Sequence, residues 1–171
     1  LIIQTAKCIA AFHRCELHGV DSFGMDDITS QLAEASQLSS MMESSLKDQT
    51  DLCILTIQNN HQTIDWKISQ TTPLHLDLKL GNFLTLDNNI SLIDLDCVRL
   101  GDHLIDIGSF VANLYLQGVR AGIAIENIDR AVSDFCQAYF SDIPWFIDER
   151  KLNWYIAAAL IYEVVRRSIR Q

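Results

Sequence analysis

HLDLKLGNFLTLDNNISLIDLD, residues 75–96, decides how this chain is read. FLTL (83–86) and ISLID (90–94) are short runs of strand formers, split by Asp87, Asn88 and Asn89, which tolerate left-handed turn geometry. That pattern predicts a small hairpin. Carboxylates crowd around it. Between 75 and 106 there are six (Asp77, Asp87, Asp94, Asp96, Asp102, Asp106) against Lys79 and Arg99. Charges beside apolar strands are costly unless something cationic or reactive uses them.

On both sides of this stretch the period is helical. Residues 1–17 predict an amphipathic helix with Ile2, Ala6, Ile9, Ala10 and His13 on one face. The aspartates of GMDD (24–27) can cap a second helix in which Ile28, Leu32, Ala35 and Met42 recur. Residues 50–58 read as helix rather than strand, and the polar segment 61–73 as loop. From His103 the spacing of Leu104, Ile107, Val111 and Leu114 is helical, and 125–140 and 148–169 predict two further helices. The last is apolar almost all round and so is expected to be buried, with Arg166, Arg167 and Arg170 at its favourable C-terminal end. The expected fold is mainly α with one small β-hairpin (α+β), as a single domain over 1–171.

Composition narrows the function classes. With 171 residues, 49% hydrophobic and 20% charged, the chain can bury one sizeable core. The net charge of −9 disfavours nucleic acid and anionic membrane and suits cations, whether metal ions or a positively charged substrate. Five scattered cysteines without a C-x-x-C pair argue against a disulfide framework or structural zinc and fit a reducing cytoplasm. LIIQTAKCIAAF (1–12) is apolar but lacks a basic leader and is too short to span a bilayer. The chain starts without methionine and already mid-helix, which suggests a piece of something longer.

Asp77 and Asn82 can flank a tight loop that opens into the first strand, and Asp94 closes the second. An aspartate there can accept a hydroxyl proton, while an asparagine carbonyl and a second carboxylate suit a hard cation. One base plus two oxygen ligands is the minimum set for phosphoryl transfer from a magnesium nucleotide. Taken singly, each residue is an ordinary loop cap or strand end. The order of all three is what carries the reading.

HLDLKLGN (75–82) resembles the H-x-D-x-x-x-x-N catalytic loop of the aminoglycoside phosphotransferase and choline kinase family, relatives of the protein kinases. LIDLD (92–96) resembles that family's metal-binding strand end, and GDHLIDIGSF (101–110) its following G-D-P-x-x-D-L segment. AFHR (11–14) resembles the helix before the catalytic loop, and DERKLNWYIAAALIYEV (148–164) the closing helices. The resemblance implies the helical C-terminal lobe of a protein-kinase-like fold and transfer of the γ-phosphate of ATP or GTP to a hydroxyl of a small molecule. By it, Asp77 is the catalytic base and Asn82 and Asp94 hold Mg2+ between the nucleotide phosphates. Lys79 touches the transferred phosphate, His75 braces the loop, Asp106 ties down the loop backbone, and Asp96 serves metal or a cationic substrate. The acidic surroundings favour an acceptor such as an aminoglycoside or a choline-like amine.

Three positions depart from the family pattern. Leu76 stands where glycine is usual, Leu80 where proline is common, and His103 replaces the proline of G-D-P. The chain also carries no glycine-rich loop and no strand lysine paired with a helix glutamate. By the resemblance these belong to an N-terminal nucleotide lobe, expected to be missing here, which would leave this stretch weakly active or inactive alone. The competing reading is a truncated or catalytically dead kinase-like domain that serves as a binding module or is a remnant. A haloacid-dehalogenase-like reading of IDLDCV and GDHLID fails. Only Cys97, Val98, Arg99 and Leu100 separate Asp96 from Gly101, too few for the helical crossover that parallel strands need.

Overall fold

The computed structural model describes residues 1–171 except 69, 88, 170 and 171. Among the described residues six helices carry the fold: α1 (Ile2–His13), α2 (Met25–Ser39), α3 (Ser44–His61), α4 (His103–Arg120), α5 (Ile125–Asp142) and α6 (Glu149–Ile169). Between α3 and α4 lie β1 (Thr71–Leu74), β2 (Phe83–Leu86), β3 (Asn89–Leu92) and β4 (Arg99–Asp102), with a 3-10 turn at Leu80–Asn82.

The helices form where the apolar spacing requires them. Ala6, Ile9, Ala10 and His13 make the buried stripe of α1, which ends at His13 rather than running on to 17. Asp27 Oδ2 accepts from the Gly24 N–H at 2.8 Å, so the GMDD acid that caps α2 reaches back across its first turn. The 50–58 segment lies inside α3, as its spacing required. The most buried helix is α4, with every residue from His103 to Gly108 buried.

α4 and α6 come close together at Gly108. A Cβ there would lie 2.7 Å from the Tyr155 Cβ and 2.9 Å from the Tyr155 carbonyl carbon, so only glycine lets the two helices meet. The start of α4 is fixed twice. Asp102 Oδ1 accepts from the Leu104 N–H at 3.0 Å, and its other oxygen pairs with Lys151 of α6 at 2.5 Å, both side chains buried. Breaking such a pair by removing one partner strands a buried charge.

β2 and β3 form the expected hairpin, antiparallel from Phe83↔Leu92 to Leu86↔Asn89. Its turn includes Asn88, which lies outside the described residues. A second ladder, β1 with β4 in the register Thr71↔Asp102 to Leu74↔Arg99, was not expected. Residues 71–73 read as loop because TTP is polar and contains a strand-breaking proline. Pairing with β4 makes them a strand: Pro73 lies opposite Leu100, whose N–H and carbonyl bond to Asp21 and Phe23 on the other edge, so the N–H that proline lacks is not needed there. The aligned pair anchors the chain immediately before 75–82 and immediately before α4.

The expectation of an all-buried last helix needs correction. Lys151, Leu152, Trp154, Tyr155, Ala158 and Val165 are buried, but most of the remaining residues are half-exposed, and α6 packs only one broad face against α2, α3 and α4. Arg166 and Arg167 do lie near its C-terminal end, both paired with Glu163. Arg170 lies outside the described residues.

Candidate active site

The loop 75–82 leaves β1 and turns sharply at Leu76, whose φ of 63° is left-handed. A leucine there carries backbone strain of roughly 1–3 kcal/mol, which surrounding bonds must offset. Asp106 supplies them from α4. Its Oδ2 accepts from the His75 N–H at 2.6 Å and its Oδ1 from the Leu76 N–H at 2.9 Å, with the side chain fully buried. Two charge-assisted bonds to consecutive amides clamp the loop at the strained residue.

His75 braces the same loop from its other side. Its Nε2 donates to the Ile93 carbonyl at 2.8 Å, which leaves Nδ1 to accept from the Asp77 N–H at 3.3 Å. One imidazole thus ties the start of the loop to the end of β3. The Ile93 N–H bonds to the Asn82 carbonyl at 3.0 Å, so Asn82 and Asp94 flank the open end of the hairpin.

Asp77 is half-exposed, with its Oδ2 at 2.5 Å from Lys79 Nζ. Asn82 is buried, and its Nδ2 donates to the Asp77 carbonyl at 2.9 Å and to Asp77 Oδ2 at 3.3 Å. That orientation turns its Oδ1 away from Asp77. Asp94 is exposed and left-handed, with φ 67°, and its carboxylate has no hydrogen-bond or ion-pair partner among the described residues. An amide oxygen and an unpaired carboxylate at one hairpin base are a donor set that suits a hard divalent cation.

The structure brings Asp77, Lys79 and Asn82 into mutual contact and sets Asp94 next to the strand end that bonds Asn82. Asp96 lies apart. Asp77 lines a cavity of about 340 Å³ between α2, α4 and α6, whereas Asp96 lines a neighbouring, more open one of about 570 Å³. Phe23, Leu76 and Cys97 form the wall they share. Neither Asn82 nor Asp94 lines the first cavity. At its far end Tyr162, Glu163 and Arg166 follow Tyr155, Ala158 and Ala159 along one face of α6.

Behind the loop lies a buried polar chain that composition and spacing did not expose. His13 Nε2 stands 3.1 Å from Asp106 Oδ2, His13 Nδ1 is 2.7 Å from the Tyr139 hydroxyl, and that hydroxyl is 3.0 Å from His103 Nδ1. Burial, then His13 and Lys151, push the His103 pKa down to about 3. Burial and then Asp106 raise that of the Tyr139 phenol. His13 had a sequence signal, a histidine on the apolar face of α1. Tyr139 had none, because its partners are 36 and 126 residues away.

A helical domain with a strand-flanked aspartate loop of this kind is kinase-like in fold. The solved amicoumacin kinase hAmiN, in complex with AMP-PNP, Ca2+ and Ami, superposes with a TM-score of 0.64 at 13% identity over 96% of this chain and 50% of its own. Spectinomycin phosphotransferase APH(9)-Ia, in complex with ADP and spectinomycin, gives 0.64 at 13% identity over 98% of this chain and 54% of its own. Residues 1–153 match the model of the APH phosphotransferase enzyme family, and the chain belongs to that family. It spans about half the length of these solved structures. No curated protein sequence matches it significantly.

Proposed function

We propose that this chain is the helical, catalytic-loop half of a small-molecule kinase that moves the γ-phosphate of ATP or GTP to an acceptor hydroxyl. One observation carries the reading: Asp106 pins the amides of His75 and Leu76, and the loop they begin places Asp77 in the wall of a cavity of about 340 Å³, a volume suited to a small molecule. Membership of the phosphotransferase family supports it.

In the proposed mechanism Asp77 accepts or orients the proton of the acceptor hydroxyl, and Asn82 holds Asp77 through its backbone carbonyl and its carboxylate. Lys79, already at the Asp77 carboxylate, swings to the transferred phosphate. Asn82 Oδ1 and Asp94 would hold Mg2+, which when bound with nucleotide offsets the charge of the phosphates. His75 and Asp106 act only through the backbone they hold. Asp96, in the neighbouring cavity, meets an extended acceptor or its cationic group.

Glu163 is already paired with Arg166 and Arg167, but Asp77 in this cavity and Asp96 in the neighbouring one favour a cationic acceptor such as an aminoglycoside or choline-like amine. Phosphoryl transfer depends on positioning and electrostatics from both sides of the nucleotide. We therefore expect this half alone to turn over nucleotide weakly.

The test is nucleotide-dependent phosphorylation of an acceptor panel (aminoglycosides, choline, homoserine, macrolides) by a protein that joins this chain to a nucleotide lobe. Transfer to at least one acceptor that is abolished by Asp77→Ala supports the reading. Turnover that persists within a few-fold after that substitution refutes Asp77 as the base.

A further inference from the structure

Asp106 is the acceptor for three donors, the His75 and Leu76 amides and His13 Nε2. Proton accounting then runs outward. A carboxylate oxygen already receiving a backbone N–H accepts from His13, so Nε2 carries the hydrogen. In a neutral imidazole Nδ1 is then a bare acceptor, and the only polar group bonded to it among the described residues is the Tyr139 hydroxyl, which donates. The phenol oxygen must in turn accept, and His103 Nδ1 supplies that proton. His103 Nε2, buried and unpartnered, is left as a lone pair. The side chains of His13, His103 and Tyr139 are all buried, so water does not compete for these bonds.

We propose that Tyr139, with His103 behind it, is a positioning residue for the catalytic loop. Its hydroxyl proton bonds His13 Nδ1 and keeps the ring turned so that Nε2–H meets Asp106, and Asp106 in turn holds Leu76 left-handed. Without that proton Nδ1 loses its partner and the ring is free to turn its Nε2–H off Asp106, which removes one of the carboxylate's three donors. The clamp matters here because residue 76 is a leucine at φ 63°, a conformation that costs a β-carbon-bearing residue energy and glycine almost nothing. The buried relay offsets a strain that glycine would not create. The inference rests on the phosphotransferase reading only in naming Asp77 as the group being aimed.

The relay is tested on the 171-residue protein without nucleotide or acceptor, so its failure is separate from failure of the kinase reading. Two-bond 1H–15N correlations of labelled histidine near neutral pH should show His13 as the Nε2–H and His103 as the Nδ1–H tautomer. Tyr139→Phe should leave His13 as Nε2–H but shift its Nδ1 resonance as that bond is lost, and should speed amide exchange at residue 76 by at least about 10-fold. In a Leu76→Gly background the same substitution should change that exchange by less than about 3-fold, because the strain is gone. A purely structural loss would be equal in both backgrounds, and that result overturns the proposal. So does an imidazolium at His13, or an Nε2–H tautomer at His103, in the unmodified protein. If Tyr139→Phe does not fold, these tautomers decide by themselves.

Discussion

Asp106→Asn is the most informative single change, because it keeps the volume and alters only what the buried group can accept. In the protein one carboxylate takes the His75 N–H at 2.6 Å, the Leu76 N–H at 2.9 Å and His13 Nε2 at 3.1 Å. An amide has a single acceptor oxygen. Its less costly rotamer keeps that oxygen on His75 and His13 and turns the NH2 toward the Leu76 N–H, donor against donor. Two charge-assisted bonds become neutral ones, each weaker by about 1 kcal/mol, and one buried N–H loses its partner at about 1–3 kcal/mol. The sum is about 3–5 kcal/mol. For a chain of this size that corresponds to a fall in Tm of very roughly 10 °C. Urea denaturation should show a lower midpoint at unchanged slope, and amide exchange should show the greatest loss of protection at residue 76. A stability loss below about 1 kcal/mol, or an unaltered residue 76 amide, would refute the clamp.

Other substitutions probe separate parts of the molecule. Asp77→Ala in a lobe-complete protein should lower phosphorylation by at least about 100-fold, some 2.7 kcal/mol of barrier, measured as initial rate at saturating nucleotide. Gly108→Ala should cost about 3 kcal/mol by denaturation, because the Tyr155 backbone blocks the new methyl. Gly81→Ala, with open space around it, should be within about 0.5 kcal/mol of the parent. His103 has a folded pKa of about 3 against an ordinary 6.5, so the unfolded chain binds the extra proton between those values. Its contribution is fully present above pH 6.5 and is lost as pH falls toward 3, at up to about 1.4 kcal/mol per pH unit. His103→Gln should flatten that part of the stability–pH curve measured by thermal unfolding.

The elements legible in the sequence were those set by local pattern. The hairpin at 83–92, the helix from His103 and the two helices after it follow from period and turn residues, and all were read within a few positions of their observed ends. The loop at 75–82, the strand end at 92–96 and family membership were legible too, because the motif residues lie within some twenty positions of one another. β1 was not, since TTPL has no strand character until β4 arrives to pair with it, Leu100 opposite Pro73 and Gly101 opposite Thr72. Likewise α6 reads as buried all round, yet what covers a helix is decided by its neighbours, and they reach only one side of it.

By itself, the sequence determined which groups are available for chemistry and in what order: Asp77, Lys79, Asn82 and Asp94 arrive on one short segment, so no distant part of the chain was needed to see them. Tertiary structure alone decided how they are held. Asp106 meets the loop from 30 residues away, and His13, His103 and Tyr139 converge on it from three different helices. Hydrogen bonds to a buried carboxylate depend on distances of a few tenths of an ångström, and only the packing of α1, α4 and α5 sets those.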